Sequence, residues 1–524
     1  MTTIGAGFRL VRAGWVLVRE GVIAALPGDQ LPGVPRFAWR VARLLARPRS
    51  RRSDRSERLA NAVARLGPSY VKLGQFLATR PDVVGNDIAV DLAMLQDKME
   101  TFPKEEAAKL IEGSLGRPVG DLYTEFGDPV AAASIAQVHP AEVLRDGVPA
   151  KVAVKVIRPG VRRRFHQDLQ SYFLAARLQE KYFPSTRRLR PVEVTETLAQ
   201  TTRIEMDLRL EAAALSILAE NTADDSGFRV PLVDWERTGG DVLTMEWIDG
   251  IKMSDVEALR AAGHDLKAIA ANLVQSFLRH TLRDGFFHAD MHPGNLFVDA
   301  DGTIVAVDLG ISGRLGKKER RFLAEILYGF ITRDYTRVAE VHFEAGYVPS
   351  RHDVSAFAQA IRAIGEPIHG QPAETISMAR LLTLLFEVTE LFDMETRTEL
   401  VLLQKTMVVV EGVARTLDPA FNMWKTAEPV VGNWIAGNLG PRGMMADARD
   451  GVHALMALAR QAPDLAARTE RLSREIDAMA EHGLRFDPET AKAIGKAEAR
   501  HTRSGRIALW VIAATLIWIA WQVG

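Results

Sequence analysis

The sequence of 524 residues predicts a two-lobed α+β fold, and three observations carry this prediction. Residues 128–160 contain short alternating apolar runs rich in valine, which are typical of β-strands. Two shorter runs, 296–298 and 303–307, flank the turn sequence DADG and predict a β-hairpin. From residue 317 to residue 500 the apolar spacing is almost wholly helical. A strand-bearing part and a helical part, joined at a hairpin, therefore favour two lobes.

The composition excludes several classes of protein. Hydrophobic residues make up 47% of the chain and charged residues 25%, which argues against wholesale disorder. Lys and Arg together number 66, as do Asp and Glu, so the chain lacks the positive charge of a nucleic-acid coat. The absence of Cys excludes a disulfide scaffold, a Cys-ligated metal and a thiol nucleophile.

The first 60 residues are predicted to form a basic, amphipathic, membrane-proximal segment. No signal-peptide pattern is present in residues 1–26, where apolar residues recur at helical spacing: Phe8, Val11, Trp15, Val18 and Val22. A second helix is expected from Arg36 to Arg47, with a stripe of arginines on one face: Arg36, Arg40, Arg43 and Arg47. This pattern suits an anionic membrane surface, and an ordinary solvated helix face explains it equally well.

The end of the chain carries a second membrane signal. Residues 507–523 read IALWVIAATLIWIAWQV and contain no charged residue. As a helix this stretch would extend ~25 Å, slightly less than the ~30 Å of a bilayer core. The preceding basic residues would keep the body of the protein on the cytoplasmic side: Lys496, Arg500, Arg503 and Arg506. We expect residues 504–524 to span or enter the membrane, with a soluble core helix as the alternative.

The strongest chemical signal is the segment HADMHPGN, which begins at His288 and has the H-x-D-x-x-x-x-N pattern of a kinase catalytic loop. Asp290 suits the position next to the attacking oxygen. Asn295 and Asp308 suit Mg²⁺, which prefers amide and carboxylate oxygens, and the hairpin between them returns the chain to one site. A metal-hydrolase cluster of His288, Asp290 and His292 is the less favoured alternative.

A lysine and an alanine-rich loop precede this motif. Lys155 lies in the strand VAVKV, which resembles the V-A-I-K strand whose lysine pairs with nucleotide phosphates. The glycine-rich loop expected upstream is missing, and an alanine-rich loop stands in its place. We expect it to be stiffer than a glycine loop, because alanine adopts positive φ less readily. The loop residues assigned to nucleotide binding are Val130, Ala131, Ala132, Ala133, Ser134, Ile135, Ala136, Gln137 and Val138.

These motifs together resemble the UbiB family of atypical kinase-like proteins, the aarF-domain kinases. The family signature K-x-G-Q is present from Lys72 to Gln75, its E-x-D motif from Glu205 to Asp207, and its alanine loop ends in SIAQVH. The resemblance implies an atypical bilobal protein-kinase-like fold with a helical N-terminal extension and a C-terminal transmembrane or membrane-embedded helix. It also implies that Lys72, Gln75, Glu205 and Asp207 form a regulatory lid over the site. Glu211 is implied to be the helix partner of Lys155.

The same resemblance implies an ATP- and Mg²⁺-binding kinase or ATPase that supports ubiquinone biosynthesis. The implied partners are membrane lipid, quinone precursors and ubiquinone-biosynthesis enzymes, and no nucleic acid. The implied location is a bacterial-type inner membrane, with the catalytic body on the cytoplasmic side and a C-terminal anchor. Two alternatives are a small-molecule phosphotransferase, whose catalytic loop is similar, and a non-catalytic nucleotide-gated scaffold for quinone-biosynthesis enzymes. Family members often carry two C-terminal hydrophobic segments, whereas one is visible here.

Six segments are expected along the chain. They are the membrane-proximal segment 1–60, the K-x-G-Q extension 61–120, an N-lobe 121–250, a C-lobe 251–435, a helical region 436–503 and the hydrophobic segment 504–524.

Overall fold

The computed structural model describes residues 3–25, 33–47, 54–78, 99–183, 189–369 and 398–439, with a few isolated positions between these ranges. The chain divides into two units after Ala436. The elements below belong to the first unit, except for the last two residues of the final helix.

The N-terminal extension is helical, as predicted. Its helices are α1 (Thr3–Arg19), α2 (Val22–Ala25), α3 (Gly33–Leu45), α4 (Arg55–Leu66) and α5 (Pro68–Ala78). The second predicted helix thus begins three residues earlier than expected and ends two residues earlier. A break separates α4 from α5 at Gly67, which has a φ of 102°. Because only glycine adopts such a φ easily, the chain can turn there directly before the proline that starts α5.

Helix α1 presents its large apolar side chains to solvent. Its small residues Ala6 and Ala13 are buried, whereas Phe8, Val11 and Trp15 are 74%, 72% and 50% exposed. These three residues are spaced by three and four positions, so they share one helix face. The face left open is therefore an apolar one, which is unusual for a helix on a water-facing surface.

The predicted arginine stripe of α3 is only partly present. Arg40 and Arg43 are exposed, but the Nη1 atom of Arg47 lies 2.9 Å from Oε1 of Glu20. Arg65 contacts the same oxygen at 2.6 Å. Glu20 is buried, and a buried carboxylate requires such partners. Arg47 therefore holds the extension together and does not belong to the stripe.

The N-lobe is built on an antiparallel sheet in the order β1-β3-β4-β6, with β2 paired to β3. The strands are β1 (Glu125–Phe126), β2 (Ala131–Ala132), β3 (Ala136–Arg145), β4 (Val148–Ile157) and β6 (Val242–Glu246). Asp146 and Gly147 connect β3 to β4 with φ values of 52° and 80°. A two-residue turn with positive φ at both positions matches the twist of the strands and fixes their register.

Five helices complete the N-lobe and its junction with the extension. They are α6 (Lys104–Leu115), α7 (Val119–Leu122), α8 (Val161–Tyr182), α9 (Pro191–Glu205) and α10 (Leu208–Asn221). Helix α8 packs against α1 and α9, and α5 packs against both α8 and α9. The valines of β4 pack with α6 in one apolar core, so α6 covers one face of the sheet.

The C-lobe carries the hairpin that the sequence predicts. Strands β9 (Leu296–Val298) and β10 (Ile304–Ala306) are antiparallel, and β5 (Phe228–Arg229) and β7 (Ile251–Lys252) flank them. Strands β8 (Phe286–His288) and β11 (Ser312–Arg314) form a separate pair. These short strands therefore bring the segments before and after the hairpin to one end of the lobe.

The remaining helices form the body of the C-lobe. They are α11 (Val256–Ala261), α12 (Leu266–Arg279), α13 (Lys317–Thr332), α14 (Tyr335–Glu344), α15 (Val354–His369), α16 (Thr398–Leu417) and α17 (Met423–Asn438). Helix α16 packs on α12 and reaches β11. In the ranges given above, no helix is both long and apolar enough to cross a membrane. The predicted membrane segment 504–524, and most of the helical region before it, lie outside the described residues.

Candidate nucleotide-binding and catalytic site

Lys155 pairs with one carboxylate of its own lobe and one of the C-lobe. Its Nζ atom donates hydrogen bonds to both oxygens of Glu211, at 2.7 and 3.0 Å, and to Oδ1 of Asp308 at 2.9 Å. The lysine comes from β4, the glutamate from α10, and the aspartate follows β10. Three distant segments of the sequence thus converge on one ammonium group.

The pKa values of the three charged groups in this cluster are shifted in different directions. Burial raises the pKa of Glu211 to about 7, although the ammonium of Lys155 opposes this rise. Burial would also raise the pKa of Asp308, but Lys155 outweighs it and lowers the value to about 2. Burial alone would lower the pKa of Lys155, whereas Asp308 and Glu211 together raise it. At neutral pH the cluster therefore contains an ionised lysine and an ionised Asp308.

Asp308 has a strained backbone and an accessible carboxylate. Its φ is 61°, a left-handed conformation that costs a non-glycine residue about 1 kcal/mol or more. Its side chain keeps 42% of its surface exposed, unlike the other two members of the cluster. The hairpin pairing places Leu296 opposite Ala306, and the Val307 amide donates to the Asn295 carbonyl at 2.8 Å. The two predicted metal ligands therefore lie at the same end of the hairpin.

The predicted catalytic loop is held by its own hydrogen bonds. The side-chain amide of Asn295 donates to the backbone carbonyl and to Oδ2 of Asp290, both at 3.1 Å. This contact fixes the direction of the Asp290 carboxylate. Nδ1 of His288 accepts from the Asp290 amide at 3.1 Å, and Nε2 lies 3.2 Å from the Val307 carbonyl. His288 thus ties the loop to the hairpin.

The alternative metal-hydrolase cluster finds no support in this geometry. Both ring nitrogens of His288 are engaged with backbone groups, and burial lowers the pKa of this histidine. His292 accepts a hydrogen bond from the Gly294 amide at 3.2 Å and so caps the turn that follows it. In the described part of the chain, no three His, Asp or Glu side chains are placed to hold a metal by themselves.

The alanine-rich loop is a hydrogen-bonded hairpin. The Ala133 amide donates to the Ala136 carbonyl at 2.8 Å, and the Val130 amide donates to the Val138 carbonyl at 2.9 Å. Arg158, at the end of β4, donates from Nε to the Ala133 carbonyl at 3.0 Å and from its amide to the Ile135 carbonyl at 2.8 Å. These bonds from both sides support the expectation that this loop is stiff.

Gln137, assigned to the nucleotide from the sequence, has a fully buried side chain. Its oxygen accepts from the Phe102 amide at 2.9 Å, and its nitrogen donates to the Phe102 carbonyl at 3.0 Å and to Nε2 of His139 at 2.9 Å. His139 in turn contacts the Gly127 carbonyl through Nδ1. The side chain of Gln137 therefore supports the loop from within the lobe and does not face solvent.

Replacing Gln137 with leucine should lower the free energy of unfolding by about 3 kcal/mol, because it leaves several buried groups without hydrogen bonds. Urea unfolding of the purified chain measures this change. The matched control is Gln170→Leu, on the partly exposed surface of α8, for which we expect a change within about 0.5 kcal/mol. Equal midpoints for the two variants would contradict the supporting role of Gln137.

The K-x-G-Q helix is fixed to the rest of the protein by charge. Nζ of Lys72 on α5 lies 2.6 Å from Oε2 of Glu205 at the end of α9; the Glu205 side chain is buried and that of Lys72 is mostly covered. Arg164 of α8 donates to the Leu66 carbonyl at 2.7 Å, and Ser69 contacts Asp168 of α8. The extension is therefore anchored at both ends of the short break between α4 and α5.

The other two residues of the predicted lid behave differently. Gln75 is one turn after Lys72 on α5 and is half-buried. Asp207, which we expected to face the extension, instead caps α10 and pairs with Arg209 at 2.6 Å. Arg209 lowers the pKa of this carboxyl through these hydrogen bonds. Asp207 thus sets the start of the helix that carries Glu211.

The assembled residues fit a magnesium-bound nucleotide. Mg²⁺ is usually held by one or two protein oxygens together with substrate phosphates, so Asn295 and Asp308 are a sufficient protein ligand set. The low pKa of Asp308 keeps this ligand charged at neutral pH. Lys155 lies next to it and can neutralise phosphate oxygens.

One contact at the site was not predicted from the sequence. The Thr406 hydroxyl of α16 lies 3.0 Å from the Ala289 carbonyl, directly before Asp290, and 2.8 Å from the Leu402 carbonyl of its own helix, so its one proton is shared between these two acceptors. No residue of this helix was expected at the site. No local motif surrounds Thr406, so only the fold reveals that α16 supports the catalytic loop.

Comparison with known proteins also indicates an atypical kinase-like protein. Residues 94–342 match the ABC1 atypical kinase-like domain, and residues 361–422 match the UbiB helical domain. The "Probable protein kinase UbiB" of Marinobacter nauticus is 42% identical over 444 residues, covering 83% of this chain and 80% of that protein. Its namesake in Shewanella piezotolerans is 40% identical over 393 residues, covering 74% and 71%.

A solved structure, the complex of Rv3197 with erythromycin from Mycobacterium tuberculosis, is 24% identical with a TM-score of 0.47, covering 68% of this chain and 90% of that chain. The domain matches and the two relatives are sufficient to place the chain in its family. The resemblance drawn from the K-x-G-Q, alanine-loop and catalytic-loop motifs is therefore confirmed, as is the kinase-like α+β fold. This chain belongs to the UbiB family, with an ABC1 atypical kinase-like domain followed by a UbiB helical domain.

Proposed function

We propose that this protein is a Mg²⁺-dependent ATPase or atypical kinase that acts at an anionic membrane surface and supports ubiquinone biosynthesis. The observation that carries the catalytic part is the convergence of Lys155, Glu211 and Asp308 on one cluster. The ubiquinone part rests on membership of the UbiB family. Lipid-like quinone precursors, or the enzymes that process them, are the proposed partners.

In the proposed reaction, Asp290 receives the proton of the attacking water or hydroxyl group. The oxygen of that group forms a bond to the terminal phosphorus, while the bond from this phosphorus to the bridging oxygen breaks. ADP leaves with the electron pair of the broken bond. Asn295 orients the Asp290 carboxylate and, with Asp308, would hold Mg²⁺, which neutralises phosphate charge. Lys155 stabilises the phosphates from the other lobe.

The proposed membrane surface is the exposed face of α1 together with α3. Phe8, Val11 and Trp15 would enter the interface between headgroups and acyl chains. Arg12 of α1 and Arg40 of α3 are exposed and carry the charge that attracts anionic lipid. This surface is independent of the predicted C-terminal anchor, which would add a second attachment.

The test is MgATP turnover by the purified full chain, measured with phosphatidylcholine vesicles, with vesicles containing phosphatidylglycerol, and with a phenolic quinone precursor added to each. We expect turnover that requires Mg²⁺ and increases on the anionic vesicles. Absence of nucleotide binding and turnover in every condition would overturn the enzymatic proposal. A phosphorylated soluble metabolite as the main product would favour the phosphotransferase alternative.

The membrane surface is tested by the triple variant Phe8→Ser, Val11→Ser, Trp15→Ser. It should lose about a hundred-fold or more in affinity for anionic vesicles, since each of the three buried apolar side chains contributes about 1 kcal/mol or more. Basal turnover without vesicles should not change. The control replaces Leu232 and Trp235, which are also exposed, by serine. Equal vesicle affinity of both variants would show that α1 is not the docking surface.

A further inference from the structure

Helix α16 brings a lysine to the catalytic loop. The hydrogen bond from Thr406 to the Ala289 carbonyl fixes this helix against the loop, one residue before Asp290. Lys405 directly precedes Thr406, and its side chain leaves the helix roughly 100° around the axis. Because Lys405 is exposed, its side chain does not enter the core.

The charges around Lys405 place it near both Asp290 and the K-x-G-Q helix. Burial among surrounding atoms lowers the pKa of Lys405, the carboxylate of Asp290 raises it, and the ammonium of Lys72 lowers it. The side chain is nevertheless accessible to solvent. Lys405 is therefore close to the proposed base and is still reached by solvent.

The lysines around the proposed site differ in their partners. Lys155 is engaged by Glu211 and Asp308, and Lys72 is engaged by Glu205. Within the ranges that the structure describes, the ammonium of Lys405 forms no hydrogen bond or ion pair. A cation near the proposed base, without a bound carboxylate, is available to an anionic ligand.

We propose that Lys405 binds the terminal phosphate of the bound nucleotide, beside Asp290. This inference rests on the proposed function, because it requires a nucleoside triphosphate at the site. A triphosphate brings its most negative group close to the carboxyl group of Asp290, and a cation there compensates for the accumulated negative charge. Lys405 supplies this charge from the UbiB helical domain, so the helical domain contributes directly to the catalytic centre.

The test compares Lys405→Gln and Lys405→Arg with the wild type. Binding of ADP and of a non-hydrolysable ATP analogue is measured by calorimetry with Mg²⁺, followed by kcat and KM for MgATP. Lys405→Gln should weaken binding of the triphosphate analogue by about ten- to a hundred-fold, the effect of one charge-assisted contact, and leave ADP binding within about two-fold. Lys405→Arg should retain most of the triphosphate affinity.

The matched control is Lys425→Gln, an exposed lysine of α17, which should change neither affinity. Equal weakening of ADP and triphosphate binding by Lys405→Gln, or no weakening of either, would overturn the assignment of Lys405 alone. Failure of the wild-type chain to bind any nucleotide would overturn this inference together with the proposed function. Because Lys405 is solvent-accessible and unpaired in the described structure, its replacement should leave the unfolding midpoint unchanged.

Discussion

Replacing Asp308 with asparagine should reduce Mg²⁺-dependent nucleotide binding and turnover by about a hundred-fold or more. Loss of a residue that merely supports a metal ligand commonly costs ten- to a hundred-fold, and Asp308 is placed as a ligand itself. The asparagine keeps the shape of the side chain but removes the charge. Calorimetric titration of MgADP and MgATP, with turnover in parallel, measures the loss.

The stability of the same variant distinguishes loss of the metal from loss of the fold. Lys155 keeps its contacts with Glu211, and Asp308 is 42% exposed, so the free energy of unfolding should fall by no more than about 2 kcal/mol. Asp301→Asn, in the exposed turn of the same hairpin, is the matched control and should bind MgADP normally. A folded Asp308→Asn protein with wild-type Mg²⁺ dependence would refute the metal assignment.

Local patterns in the sequence were sufficient to predict the parts of the site that are built by neighbouring residues. The hairpin between Asn295 and Asp308 follows from two short apolar runs around a turn, and it brings the two residues to the same end. Lys155 was identified because its strand, a following helix and the catalytic loop occur in kinase order. These features are encoded within short stretches of chain, where the backbone itself fixes the spacing.

The contacts that the sequence did not predict join segments far apart in the chain. Thr406 reaches Ala289 across 117 residues, and no periodicity records that pairing. Gln137 lies in a strand, and the alternating sequence pattern does not show which face of the sheet its side chain is on. Its side chain is buried because it bonds to the backbone of Phe102. The spacing of Arg47 fits a surface stripe, yet its side chain forms an ion pair with the buried carboxylate of Glu20. Each outcome depends on a tertiary partner that local propensity does not contain.

Lys155→Met should abolish measurable nucleotide binding and lower the free energy of unfolding by about 3 kcal/mol at pH 8, because removing one partner of a buried ion pair leaves an uncompensated charge. The loss should depend on pH. The pKa of Glu211 is already raised to about 7 by burial, and Lys155 is the group that holds it down. Without the lysine this pKa rises further, so the folded state keeps a proton that the unfolded state releases above pH 4.5.

A folded state that binds more protons loses stability as the pH rises, by up to about 1.4 kcal/mol per unit for a single group. In the wild type, the loss of stability caused by ionisation of Glu211 is largely complete by pH 7. For Lys155→Met it should continue between pH 7 and pH 9, and urea unfolding at several pH values measures the slope. Lys151→Met, an exposed lysine of the same strand, should follow the wild-type profile.

The double variant Lys155→Met, Glu211→Gln separates the two roles of the lysine. It removes the carboxyl group that titrates, so the additional loss of stability between pH 7 and pH 9 should disappear. Nucleotide binding should remain absent, since the phosphates still lack their cation. If the double variant recovered binding, Lys155 would serve only to neutralise Glu211. If the slope persisted, another group would have to be the source of the pH dependence, and the cluster would not be the charge-coupled unit described above.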